Sequence, residues 1–240
     1  MKVGVIQSNY LPWRGYFDLI DEVELFVFYD DVQYTKNDWR NRNRIKTAAG
    51  VQWLTVPVIH AQSAQLINET RLDDAKPWRR KHLGSIEQAY RTAPFFKTYY
   101  PAFASLLSQS YGNIAELNHA LTRWLMTQFD IATPVKHSRD FQLAGVRGDR
   151  LLDLLKQVGT THYLSGPSAR AYLDVPEFGR HGIQVEYKTY DYAPYPQLWG
   201  GFAGDVSALD LLFNTGPEAR QHLKSRPAAA RSSPRVLFPS

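Results

Sequence analysis

KVGVIQSNYLPWRGYFDLIDEVELFVFYDD, residues 2–31, decides the fold. KVGVIQ (2–7) is a near-continuous apolar run, the pattern of a buried strand. A proline-containing loop, SNYLPW (8–13), leads into a short amphipathic helix over about residues 15–22. LFVFYD (25–30) is a second run too apolar to be half-exposed. Strand, short helix and strand this close together predict a parallel βαβ unit, because parallel neighbours need a crossover connection.

Outward from that unit, VQWLTVPV (51–58) has strand-like alternation ended by Pro57. Helices are predicted over 77–91, 101–109 and 113–129. The last places Ile114, Leu117, Leu121, Trp124, Leu125 and Phe129 on one face. Asp73 and Asp74 ahead of Pro77 suit a helix start, and Gly159 suits the end of a helix over 149–158. Residues 135–141, 162–166 and 183–190 are strand candidates. Ser207 and Asp210 fit the S-x-x-D form of a capping box for a helix over 207–214. The expected architecture is α/β, Rossmann-like of the nucleotidyltransferase/HUP kind, with a mainly parallel sheet. Residues 1–223 form a single α/β domain on this reading, with a helical segment at about 70–130.

Composition narrows the function classes. The chain has 240 residues, 44% of them apolar and none of them cysteine. It therefore has enough apolar side chains for a core and no disulfide, thiolate nucleophile or Cys-based metal site. No run is long and apolar enough to cross a membrane, and Met1 leads straight into a strand without a signal peptide's layout. A cytoplasmic protein without membrane insertion is expected. The net charge is +5, but residues 224–240 hold four basic side chains and no acid, leaving about +1 for the rest. That Pro-, Ala- and Ser-rich tail is expected to be disordered, and nucleic acid is not the expected partner.

In open parallel sheets, ligands bind beyond the carboxyl ends of the strands. Three polar clusters fall at such ends: Gln7-Ser8-Asn9-Tyr10, Asp30-Asp31 and Ser165-Gly166-Pro167-Ser168. Alternation along an extended chain turns one aspartate to the cleft and leaves the other for a turn amide or an Arg. The pair could hold Mg²⁺, orient a sugar hydroxyl or accept a proton from an amine, against the plain alternative of turn chemistry.

Downstream, Lys36, Asn37, Arg40, Asn41, Arg42, Asn43, Arg44 and Lys46 make a polar run that also carries Trp39. On an extended segment Arg40, Arg42 and Arg44 share one face, with Asn41 and Asn43 on the other. Guanidinium forks suit phosphate or carboxylate, and carboxamides read hydroxyls and amides. A small anionic or nucleotide-linked molecule is the expected ligand. The plain alternative is a solvated hairpin arm. His82, beside Arg79 and Lys81, is the candidate general base among seven scattered histidines. No zinc pair, Walker loop, G-x-S-x-G elbow or G-x-G-x-x-G is present. Tyr190, Tyr192, Tyr195, Trp199 and Phe202 could stack on a ring or simply pack a long loop.

IQSNYLPWRGYFDLI, FYDDVQYTKNDWRNRNRIK, WLTVPV, YLSGPSARAYL, YPQLWGGF and VSALDLLFNTG together resemble the WbqC-like family of bacterial proteins over about residues 2–217. Ser8 stands where proline is expected, and Ala208 where an aliphatic such as Ile is common. The resemblance implies surface-polysaccharide (O-antigen) or natural-product biosynthesis. It suggests a transferase moving an acyl or aminoacyl group to the amine of a nucleotide-sugar or similar activated substrate. On it, Asn9, Arg40, Arg42 and Lys46 would grip phosphate or the donor, and Asp30 or Asp31 would serve the acceptor amine. Gln7 and Gln33 would add directional hydrogen bonds. A second similarity lies in Pro12–Tyr16, laid out like the H-x-G-H loop of nucleotidyltransferases with Trp13 and Tyr16 in place of both histidines. Ser165, Ser168 and Arg170 stand where those enzymes carry a late Ser/Thr- and Arg-bearing loop. A nucleotidyltransferase-like enzyme is one alternative, and a non-catalytic nucleotide-sugar-binding or scaffold protein of a biosynthetic complex is the alternative from another class.

Overall fold

The computed structural model describes residues 1–59 and 64–224. β1 (Lys2–Ile6), α1 (Arg14–Glu22) and β2 (Leu25–Phe28) form the predicted unit, the two strands pairing parallel from Val3 opposite Leu25 to Ile6 opposite Phe28. Two antiparallel pairs follow: β3 (Arg42–Thr47) with β4 (Gly50–Thr55), and β5 (Val58–Ile59) with β6 (Arg71–Leu72). The helical middle is α2 (Trp78–Tyr90), α3 (Phe96–Leu107) and α4 (Ile114–Gln128). The chain then rejoins the sheet through β7 (Val135–His137), α5 (Arg147–Gln157), β8 (His162–Ser165), α6 (Val175–Arg180) and β9 (Gln184–Tyr187), and ends in α7 (Ala208–Thr215).

The central sheet runs β7-β2-β1-β8-β9, with every pairing parallel. Counted in chain order, its strands lie third, second, first, fourth, fifth, so the order reverses between β1 and β8. The expected α/β architecture with a parallel sheet is what forms.

Side-chain alternation explains the two layers. Val3, Val5, Leu25 and Val27 point to one face, where Leu151, Leu154, Leu155 and Phe178 of α5 and α6 cover them. Phe26 and Phe28 point to the other, into a larger apolar cluster with α1, the helical middle and α7. Ile45 and Leu54 of the β3–β4 hairpin belong to that larger cluster, so hairpin and sheet share one core. Gly4 lets α1 approach: a β-carbon there would stand 2.8 Å from Leu19.

Three expectations need correction. The third predicted helix begins at Phe96 rather than 101. Pro101 lies inside α3, which gives up one backbone bond while Phe96 and Phe103 are buried on either side. Asp210 does not complete a capping box. Ser207 alone caps α7, through the amide of Leu209, and Asp210 turns inward to accept from Tyr90 and Tyr195. The run 51–58 is broken at Pro57 into two strands of different sheets. No helix among the described residues is long and apolar enough to cross a membrane. The basic tail lies outside the described residues from 225 onward, and Lys224, its first residue, pairs with Asp21 at 2.6 Å.

Candidate functional site

Where the strand order reverses, the loops after β1 and β8 part and open a cleft. A cavity of about 680 Å³ occupies this position, lined by Gln7, Tyr29, Arg40, Arg147, Gly148, Ser165, Ser168 and Tyr172 among others. Its size is in the ordinary range for a small-molecule site. The end of β1 supplies Gln7, and the end of β8 supplies Ser165 and Ser168.

The first turn of α5 forms one wall. Its N-cap is Val146, which has no side-chain acceptor; the Asp149 amide is held by the Val146 carbonyl at 3.2 Å, and Arg147 and Gly148 line the cavity at the positive end of the helix dipole. Gly145 makes the approach possible: its φ is +80°, and a β-carbon there would lie 2.9 Å from Asp149.

Arg40 is the most informative side chain. It is only 7% exposed, yet its Nε and Nη1 have no hydrogen-bond partner. The closest carboxylate oxygen is that of Asp38, 3.8 Å from Nε and beyond hydrogen-bond range. Burial lowers its pKa from the ordinary arginine value, and Asp38 partly offsets this. A buried guanidinium with open donors on a cavity wall is costly unless an anion completes it. Nearby, burial pushes the Tyr29 phenol up to about 12, so it stays a neutral hydrogen-bonding group at neutral pH.

The two aspartates sit one strand over, both engaged. Asp30 is buried; its Oδ1 accepts the Ser8 amide at 2.7 Å, and its Oδ2 is 2.6 Å from His119 Nε2. Asp31 pairs with Arg150 of α5 and accepts from Ser138 Oγ. Asp31 thus meets an arginine, as alternation allows, while Asp30 is held by the Ser8 amide and His119 and does not line the large cavity. Beside them lies a cavity of about 10 Å³ lined by Asp30, Asp31, Asn68, His119 and His137, among others. That is about the space of one water. Burial, with His119 next in weight, lowers the His137 pKa to about 4. Its Nε2 faces Arg123 Nη2 at 3.1 Å, which fixes Nε2 as an acceptor and leaves the proton on Nδ1. Among the described residues, no group of three or more His, Asp or Glu side chains is arranged to hold a metal ion.

The charge run does not act as one wall. β3 begins only at Arg42, and Arg40 belongs to the preceding turn, so Arg40 parts from the other arginines. Arg42 donates to the carbonyl of Asn37 and lies over Trp53; Arg44 pairs with Asp205 at 2.7 Å. Asn41 donates to Val56, and Asn43 to the carbonyls of Tyr10 and Leu11. Lys46 is buried and donates to Gln197 and to the carbonyls of Gly200 and Gly201. Gln33, Lys36 and Asn37 are exposed away from the cavity lining.

Other candidates also take structural places. Tyr10 is fully buried and its hydroxyl meets His82 Nδ1 at 2.8 Å. His82 spends its other nitrogen on the Thr55 carbonyl, and burial lowers its pKa to about 4. It is a core histidine on α2, and the aspartates' partner is His119. Tyr16 is buried and donates to the carbonyl of Gln7. Arg170 is exposed and lies over the Tyr187 ring. Asn9 and Trp13 line a separate cavity of about 290 Å³. His119, Arg147 and Arg150 were not singled out in the sequence. The one available signal was Asn118 and Thr122, polar residues inside the apolar stripe of α4. Asn118 donates to the Arg40 carbonyl at 2.8 Å and fastens α4 to the site.

A model of the WbqC-like protein family matches residues 7–222. Among curated proteins, "Uncharacterized protein Rv1507c" of Mycobacterium tuberculosis (strain H37Rv) is 46% identical over 226 residues, spanning 93% of this chain and 97% of its own. No solved structure matches.

Proposed function

The chain belongs to the WbqC-like protein family, and from that membership and the Arg40 cleft we propose a transferase that binds a small anionic, nucleotide-linked substrate. The observation that carries this is Arg40, buried on the cavity wall with two open donors. Arg147 and the uncapped start of α5 add positive potential to the same cavity. A phosphate or phosphate-like group satisfies all three at once. The order third-second-first-fourth-fifth supports a Rossmann-like class, in which the reversal point is the customary ligand crevice.

The reaction is acyl or aminoacyl transfer to an amine of a nucleotide-linked amino sugar or related small molecule. The amine nitrogen attacks the activated carbonyl carbon, the new C–N bond forms, and the leaving group departs with the bonding pair. The amine proton must go to a base. Both aspartates are committed to internal partners and, with His119, line only the one-water cavity, so they orient the loops at the strand ends and the proton leaves to water in the large cavity. Such attack needs positioning and a proton acceptor and no covalent nucleophile, which suits a chain without cysteine.

The test is a thermal-shift panel of UDP-, dTDP- and GDP-sugars, aminoacyl donors and coenzyme A thioesters, on the wild type and on Arg40→Met. Ligands that bind the native state raise its melting temperature by mass action. The expected result is a shift from at least one phosphate-bearing compound, abolished in Arg40→Met. No shift from any compound, or an equal shift in the variant, refutes anion binding at Arg40. A second reading, binding without turnover, is favoured by the engaged state of all four aspartate oxygens. Saturable binding with no product from any donor–acceptor pair would establish it.

A further inference from the structure

A second cavity, of about 290 Å³, lies on the far side of the loops that wall the first. Gln7 and Arg40 face the larger cavity, while Asn9 and Trp39, two residues and one residue away, face the smaller. The amide of Tyr10 donates to the carbonyl of Trp39 at 2.9 Å and ties the two loops together.

The smaller cavity has aromatic walls, Trp13 and Trp39, and a polar rim. Trp13 is braced by edge contacts with Tyr190 and Tyr192. Gly15 makes room for it, since a β-carbon there would come within 2.4 Å of its ring. Two buried polar atoms lack partners: Asn9 Oδ1, an acceptor, and Arg44 Nε, a donor. Arg44 and Asp205, paired at 2.7 Å, set donor and acceptor edges side by side.

We propose that this slot binds one pyranose ring. Its volume suits a single ring rather than a whole nucleotide. Aromatic faces carry negative charge density that attracts the apolar C–H face of a sugar. The Arg44 guanidinium and the Asp205 carboxylate on the lining offer donors and an acceptor, and neighbouring hydroxyls of one ring match both. Ring binding in this slot does not rest on the function proposed above.

The experiment titrates the full chain with uncharged methyl glycosides of hexoses and N-acetylhexosamines, followed by tryptophan fluorescence. These probes carry no phosphate and do not engage Arg40. Saturable quenching or a blue shift is expected with a Kd on the order of 1 mM, tenfold or more weaker in Trp39→Ala and in Asn9→Ala, and unchanged in Arg40→Met. Trp39 is 38% exposed, so its truncation leaves the core intact. Absence of any saturable response at 100-fold that concentration would overturn the proposal, as would equal binding by both slot variants. Uridine or adenosine competing as well as the glycosides would also overturn it, by making the slot a base site.

Discussion

Replacing Arg40 by Met separates stability from function, and the direction is unusual for a core position. Arg40 is buried, and its Nε and Nη1 donate to nothing. Each unsatisfied buried donor costs about 1–3 kcal/mol, more when charged. Met fills similar space with a flexible apolar chain and removes the cost. Among the described residues the only ionic partner lost is Asp38 at 3.8 Å, and Asp38 keeps its bonds from Thr35 and the Trp39 amide. The ligand-free variant should therefore be more stable than the wild type by roughly 1–3 kcal/mol, raising Tm by about 2–12 °C for a chain of this size. With ligand the sign reverses. Two charge-assisted bonds at about 1.5–3 kcal/mol each correspond to roughly 100- to 10,000-fold in Kd. Circular-dichroism melts without ligand, followed by ligand titrations, read both numbers. A variant that melts several degrees lower without ligand would refute the reasoning, because the guanidinium would then be holding the fold.

Three further outcomes are expected. Asp30→Asn keeps an acceptor for the Ser8 amide but points a carboxamide donor at His119 Nε2. It should force the His119 proton onto Nδ1, cost about 1–3 kcal/mol and abolish turnover; an unchanged tautomer in ¹⁵N NMR would contradict this. Lys46→Met should cost roughly 3 kcal/mol and speed proteolysis near residues 197–204 while leaving phosphate-dependent shifts intact; a lost shift would return Lys46 to the ligand site. His82, neutral in the fold with its pKa lowered from 6.5 to about 4, makes the unfolded chain bind more protons below pH 6.5. Stability should thus fall as pH drops from 6.5 toward 4, by about 2 kcal/mol at pH 5, in urea denaturation; His82→Gln with the same pH slope would disprove the assignment.

The β1–α1–β2 unit was legible because its signals are local: two apolar runs, one helical spacing and a crossover that geometry requires. The rule that ligands lie beyond strand ends also brought Gln7, Ser165 and Ser168 to one cavity, and these do converge. What periodicity could not give was where β3 starts. Extending its alternation two residues early put Arg40 with Arg42 and Arg44, when a turn separates them. His119 and Arg150 were beyond local reading, since their partners Asp30 and Asp31 lie 89 and 119 residues away in the chain. Asn41, Asn43 and Lys46 are engaged within the fold for another reason. Irregular segments leave carbonyls that need donors once buried, and polar side chains that resemble ligand readers supply them.

That last fact sharpens the case for Arg40. Residues 36–46 contain five basic side chains. Lys36 is exposed to solvent, Arg42 reaches a carbonyl, Arg44 a carboxylate and Lys46 three oxygens. Only Arg40 combines near-complete burial with open donors on the wall of the large cavity. Asn118 already grips the Arg40 carbonyl, so the backbone there is fixed rather than loose. Holding a buried guanidinium with two donors unspent lowers stability, and a binding site preorganised for an anion is the physical circumstance in which that loss is recovered.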